Sequence, residues 1–271
     1  LLLDRGADVD KANCDQKSKV NPSKANTTVQ REDVARPSGN DRVEPLRGLR
    51  RQIASTIESA WREIPHIYSV LDVDASALVQ ARESLAAEYE HENTKLTFMP
   101  FFVKACVEAL KAHPSFNATI DMAKEEIIYR HRYNIGFATA TRDGLVVPVV
   151  NDADQLSLLD LAGAINDLAA ATRNRRVTVE QLSGGTFTIS NFGAYGHGVG
   201  MPIIRPPEVA IAGFGRIEDK VVPVKGQPAV RATLPLIVTT DHRLNDGDHL
   251  GAFIETLATY LRAPIRLLGR N

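Results

Sequence analysis

The run from Leu234 to His249, LPLIVTTDHRLNDGDH, constrains the fold more than any other stretch of the chain. Its first part, with Leu234, Leu236, Ile237, Val238, Thr239 and Thr240, is apolar and β-branched and reads as a buried strand. A polar turn follows from Asp241 to Gly247. Beyond it Leu250, Phe253, Ile254, Leu257 and Leu261 recur at helical spacing, which predicts an amphipathic helix. His242 therefore stands at a strand end, with Asp246 four residues on and Gly247 to turn the backbone. Such a placement suits a general base on a rigid platform. Taken alone, the His-x-x-x-Asp pattern is unspecific, and a loop histidine is as often simply solvated.

The remaining sequence narrows the class. The 271 residues suffice for one large domain, or for one domain and an appendage. Hydrophobic residues at 44% and charged residues at 24% are ordinary for a soluble globular chain. A net charge of −1 gives no reason to expect a nucleic acid or an anionic membrane as partner. No apolar run approaches the ~20 residues needed to span a bilayer. The start at Leu1, without Met, suggests a fragment or a processed chain. The two cysteines, Cys14 in a polar tail and Cys106 in an apolar helical pattern, exclude a disulfide framework and offer no metal-ligand spacing. A reducing compartment fits them best.

In chain order, residues 1–42 are rich in Asp, Asn, Lys and Ser and read as a flexible segment. Glu44 to Trp61 predicts a helix with Ile53, Ile57 and Ala60 on one face, ended by Pro65-His66. Ile67 to Asp74 alternates as a half-buried strand, and Asp74-Ala75-Ser76 caps the next helix. Leu96 to Pro114 is an apolar helix entered through Pro100. IIYRHRYNIGFATATRDGLVVPVV predicts two strands joined at Arg142-Asp143-Gly144. An amphipathic helix from Ser157 to Thr172 precedes a strand that runs into the Gly-rich loop of GGTFTISNFGAYG. Further strands are predicted in Pro202 to Ile217, in VVPV and in PAVRATLPLIVTT. Strands and helices alternate without strict βαβ spacing, which predicts an α/β sandwich with a mixed sheet and flanking helices.

The flanks of His242 carry a resemblance. LPL-x-x-x followed by DHR-x-x-DG, the LTF-x-PF-x-x-KA run at Leu96, NIG followed by GL-V-VPVV, and TFTISNFG all stand in order. Together they resemble the catalytic domain of dihydrolipoamide acyltransferases of 2-oxo acid dehydrogenase complexes, over roughly residues 43–271. The resemblance implies a chloramphenicol acetyltransferase-like sandwich. It also implies acyl transfer between dihydrolipoamide and coenzyme A, with the lipoyl group supplied by a separate lipoyl domain. His242 would be the general base acting directly on the thiol, Ser190 the oxyanion donor, and Asp246 a residue that fixes the turn. The positions matched for coenzyme A are Arg82, Thr97, Ser190, Asn191, Gly215 and Ile217. Ser190-Asn191-Phe192-Gly193 differs from the Asn-Gly-Gly usual in the succinyl type, so an acetyl or branched-chain acyl group is expected. Ala140, Ala169 and Arg205 depart from residues common in relatives.

In this family trimers build 24-mer or 60-mer cores that hold decarboxylase and dihydrolipoamide dehydrogenase subunits, in the bacterial cytoplasm or the mitochondrial matrix. Ser190 and His242 would then cooperate from different chains. LLLDRGADVD and QREDVARP resemble pieces of a peripheral subunit-binding domain, but the Gly-rich loop between them is replaced. Residues 1–42 are accordingly read as a linker or degenerate subunit-binding segment, and residues 43–271 as the acyltransferase domain. Two rival readings are a small-molecule O-acetyltransferase of the chloramphenicol type and a scaffold that has lost its chemistry.

Overall fold

The computed structural model describes residues 38–90, 94–196 and 198–268. The linker or subunit-binding reading of residues 1–42 falls almost wholly outside them. Leu46 onward forms one compact unit. In the short preceding stretch, Asp41 accepts a bond from the Ser38 backbone at 2.8 Å.

Helix α1, Gly48–Glu63, stops where Ile64 turns extended before Pro65, and its last turn is closed by Ile64 N–H donating to Ala60 O. Strand β1, His66–Asp74, follows at once. Asp74 then accepts from Ser76 N–H at 3.0 Å and starts α2, Ser76–Glu90. Helix α3, Met99–Ala112, is buried on every face from Pro100 to Leu110, with Lys104 and Glu108 among its otherwise apolar residues.

The segment predicted as two strands is five short ones: β3 (Glu126–Tyr129), β4 (Ile135–Phe137), β5 (Thr139–Thr141), β6 (Gly144–Val146) and β7 (Val149–Val150), with β2 (Ala118–Asp121) pairing β3. The reason is divided allegiance. β4 and β7 belong to the main sheet, whereas β5 and β6 leave it as a separate hairpin turning at Arg142-Asp143. Helix α4, Leu158–Arg173, opens on a reciprocal cap between Ser157 and Asp160. Strands β8 (Phe187–Asn191), β9 (Ala210–Phe214), β10 (Glu218–Val224) and β11 (Gln227–Asp241) lead to α5, Gly247–Arg262.

The main sheet runs β1-β11-β9-β8-β4-β7, with β10 paired to the first half of β11. β8 is parallel to β9 and β4, and the other pairs are antiparallel, so the sheet is mixed as expected. Side chains alternate between its two faces. Phe187, Ile189, Ala210, Ala212, Phe214, Leu236 and Val238 join α2 to α5 in one core. Phe102 stacks on Phe214 with ring centroids 4.0 Å apart, and Phe116 on Phe253 at 4.1 Å. The intervening residues Thr188, Ser190, Ile211 and Gly213 face the other way, where Ala60 and Ile64 of α1 pack with Ile204 and Ile211. Cys106 is fully buried in the core; desolvation pushes its thiol far up, which leaves it inert as a nucleophile. No helix among the described residues is long and apolar enough to cross a membrane.

Candidate active site

The β11–α5 turn holds His242 through its backbone. His242 N–H donates to Pro65 O at 2.9 Å, and Asp241 N–H to Val209 O at 2.8 Å. Asn245, fully buried, donates to Thr240 Oγ1 at 2.9 Å and Ser115 O at 3.3 Å. Buried Asp241 takes a forked ion pair from Arg243, with Nη2 at 2.6 Å and Nε at 2.9 Å, which pushes the Arg243 guanidinium up. These contacts fix the turn and leave the His242 side chain half exposed. Its Nδ1 faces Asp246 Oδ1 at 3.5 Å. That orientation favours the tautomer protonated on Nδ1 and leaves Nε2 as the acceptor. His249 shares in the start of α5, accepting from Asp246 N–H at Nδ1, 3.4 Å away. Asn245 is the residue here that sequence reasoning missed: only its burial and its bonds to Thr240 of β11 and to Ser115 reveal that it positions the turn.

Two cavities lie on opposite faces of the sheet. The first, about 540 Å³, is lined by Thr97, Phe98, Asn191, Gly215 and Ile217 and by three cations, Lys95, Arg173 and Arg216. The second, about 480 Å³, is walled largely by aliphatic side chains of α1, β6 and the 201–205 loop, and carries Ser190. Ala138 borders both, and the consecutive β8 residues Ser190 and Asn191 point into different cavities. The end of β8 thus separates the two spaces. The first cavity depends on backbones that touch. A Cβ on Gly193 would fall 2.2 Å from Gly215 O, and one on Gly215 would fall 1.9 Å from Gly198 O.

Of the positions expected to meet coenzyme A, Thr97, Asn191, Gly215 and Ile217 come together in the first cavity, and Ser190 lies across the sheet. Arg82 lines neither. Its Nε donates to Leu96 O at 3.4 Å and its guanidinium lies 5.5 Å from the centre of the Phe98 ring, behind the wall. Lys95, Arg173 and Arg216 were not singled out from the sequence; they are distant in the chain and carry no motif.

Ser190 and His242 are far apart within one chain. Ser190 is level with Gly213, and Gly213 with Ile237. His242 lies five residues beyond Ile237 and two strands over. At about 3.3 Å per residue and about 4.8 Å per strand, the separation is roughly 19 Å. One chain therefore cannot bring both groups to the same carbonyl.

The family described as 2-oxoacid dehydrogenases acyltransferase (catalytic domain) matches residues 38–269. A dihydrolipoyllysine-residue succinyltransferase component of the 2-oxoglutarate dehydrogenase complex from Rickettsia typhi is 38% identical over 221 residues, covering 81% of this chain and 55% of that protein. Other curated relatives are named as acetyltransferase and branched-chain acyltransferase components. A dihydrolipoamide acetyltransferase structure from Azotobacter vinelandii, studied for the catalytic roles of a serine, a histidine and an asparagine, aligns with TM-score 0.82 and 32% identity over 85% of this chain and 95% of that one. The cubic core of a pyruvate dehydrogenase multienzyme complex aligns with the same scores and coverage. The chain spans little more than half the length of the curated relatives it matches. It belongs to the acyltransferase catalytic-domain family of the 2-oxoacid dehydrogenases.

Proposed function

We propose that this chain is the catalytic core of a 2-oxoacid dehydrogenase complex and transfers an acyl group between dihydrolipoamide and coenzyme A. The observation that carries this reading is the pair of cavities that face each other across the end of β8. The first suits coenzyme A: Lys95, Arg173 and Arg216 offer charge to its phosphates, and apolar Phe98, Phe102 and Ile217 offer a surface to the rest. The second, narrow and apolar, suits the lipoyl arm with its acyl group. Two thiols that enter from opposite sides meet where Ser190 stands.

In the transfer, His242 Nε2 takes the proton of the attacking thiol as its sulfur bonds to the thioester carbon. The carbonyl oxygen becomes an oxyanion and accepts from Ser190 Oγ–H, a donation typically worth about 3 kcal/mol. Collapse expels the second thiolate, which recovers the proton from His242. Asp246 holds the imidazole by its Nδ1 side. No acyl-enzyme is needed, and buried Cys106 is no candidate for one. In the Azotobacter vinelandii protein the serine, histidine and asparagine stand in the same order and at the same spacing as Ser190, His242 and Asp246. The distance between Ser190 and His242 further supports a site completed by a neighbouring chain, within a trimer and a larger cage. Decarboxylase and dihydrolipoamide dehydrogenase would be the working partners.

The test is transfer from acetyl-, isobutyryl- and succinyl-coenzyme A to free dihydrolipoamide by the assembled protein. His242→Ala is expected to lower turnover by about 10²–10⁴-fold without disturbing assembly. A variant with the full rate would remove His242 from the mechanism.

A further inference from the structure

The cavity that carries Ser190 has one charged side chain on its wall, Arg205. Its guanidinium lies against Gly136 of β4 and Gly185, just ahead of β8. Cβ atoms on Gly136 and Gly185 would fall 3.8 and 3.5 Å from its Nη1. Nη2 donates to Leu182 O at 2.8 Å, which fixes the side chain in the wall. Glu208 Oε1 stands 3.9 Å from Nη1, too far for a hydrogen bond. Thr188, beside Gly136 in register, is buried, with its hydroxyl near the Glu208 carboxyl. A guanidinium and a hydroxyl therefore stand together in an otherwise largely aliphatic cavity.

That spot has a fixed relation to the reacting centre. Thr188 and Ser190 share a face of β8, about 7 Å apart. A four-carbon dicarboxylic acyl group reaches roughly 5 Å from its thioester carbon to its far carboxylate. With its carbonyl oxygen on Ser190, that carboxylate falls within hydrogen-bond reach of Thr188 Oγ1 and the Arg205 guanidinium.

We propose that Arg205, with Thr188, recognises the far carboxylate of the acyl group, so that the unit transferred is dicarboxylic, of the succinyl kind. The proposal rests on the acyl-transfer reading above. An acetyl or branched aliphatic group would offer no acceptor to the guanidinium or the hydroxyl. Glu208 comes no nearer the guanidinium than 3.9 Å; it is fully buried, and desolvation, only partly offset by Thr188 and Arg205, pushes its carboxyl up to about 7. The assignment replaces the acetyl or branched-chain expectation drawn from Asn191-Phe192-Gly193. Phe192 lines neither cavity; its ring packs against Gly200 and Gly213 and does not narrow the acyl space.

The experiment measures kcat/KM for succinyl-, acetyl- and isobutyryl-coenzyme A with free dihydrolipoamide, using the assembled full chain. Wild type is expected to favour the succinyl donor. Arg205→Gln is expected to lower the succinyl-to-acetyl ratio by about 10- to 100-fold, mainly through KM, with Arg205→Lys between. Thr188→Val, which keeps the volume and deletes the hydroxyl, should move the ratio the same way by less and serves if Arg205→Gln does not assemble. A wild-type preference for acetyl or isobutyryl, or a ratio that no variant moves, overturns the proposal and leaves acyl transfer standing. Absence of His242-dependent transfer from every donor would instead sink the reading beneath it.

Discussion

Glu208 shows how a single buried residue can set a pH dependence. Its carboxyl titrates near 4.5 in an unfolded chain and at about 7 in the fold. Between those values the folded chain keeps a proton that the unfolded chain has lost. Stability therefore falls as pH rises through this window and levels off above about 7. The gap corresponds to roughly 3 kcal/mol. Glu208→Gln, which keeps the shape without the charge, should match wild type near pH 4.5 and exceed it by up to about 3 kcal/mol at pH 8. Urea unfolding at the two pH values measures this, and parallel pH profiles for the two proteins would refute it. At the same scale, Asp246→Asn should keep most of the turnover and Asp246→Ala lose more, since an amide oxygen can still accept from Nδ1–H of His242. A steady-state assay of both variants beside wild type decides it.

At the scale of elements, helices, strand ends and loops together wall both cavities, and the first depends on how closely backbones pass. Gly215→Ala should cost more than about 2 kcal/mol and impair binding of coenzyme A, because its Cβ would strike a carbonyl 1.9 Å away. Isothermal titration beside an unfolding curve separates the two effects. Helix α4 brings Ile165, Asn166, Ala169 and Arg173 to the first cavity. Ser157→Ala removes its cap and should lower stability by about 1 kcal/mol, read from the urea midpoint. The caps, the periodic helices and the long strand β11 were legible in the sequence because each is a local pattern. The segment from β3 to β7 was not, because strands of two to four residues carry no period of their own. Their ends are set by neighbours such as β8, which is remote in sequence.

At the scale of the whole molecule, the proposed mechanism, with roughly 19 Å between Ser190 and His242, requires an assembly. If each site takes Ser190 from one chain and His242 from the next, Ser190→Ala and His242→Ala are each inactive as pure oligomers. Reassembled together in equal amounts, they should recover about a quarter of wild-type activity, since one interface in four then joins two intact contributors. No recovery from a correctly reassembled mixture would place both groups in the service of separate sites.

The sequence by itself determined the family and the fold class and put forward His242, Ser190 and Asp246 as candidates, because these rest on contiguous motifs and short periods. It also marked Arg205 as a departure that bears on the cofactor contacts and the acyl preference. Tertiary structure decided what those residues face. Lys95, Arg173 and Arg216 converge from three separate segments, Arg82 stands behind the wall of the first cavity, and Arg205 and Thr188 both border Gly136 on the wall of the second. The physical reason is that charge and desolvation act through space. A guanidinium acquires a function only when folding limits the water around it and sets its neighbours, and neither is written in the order of the residues.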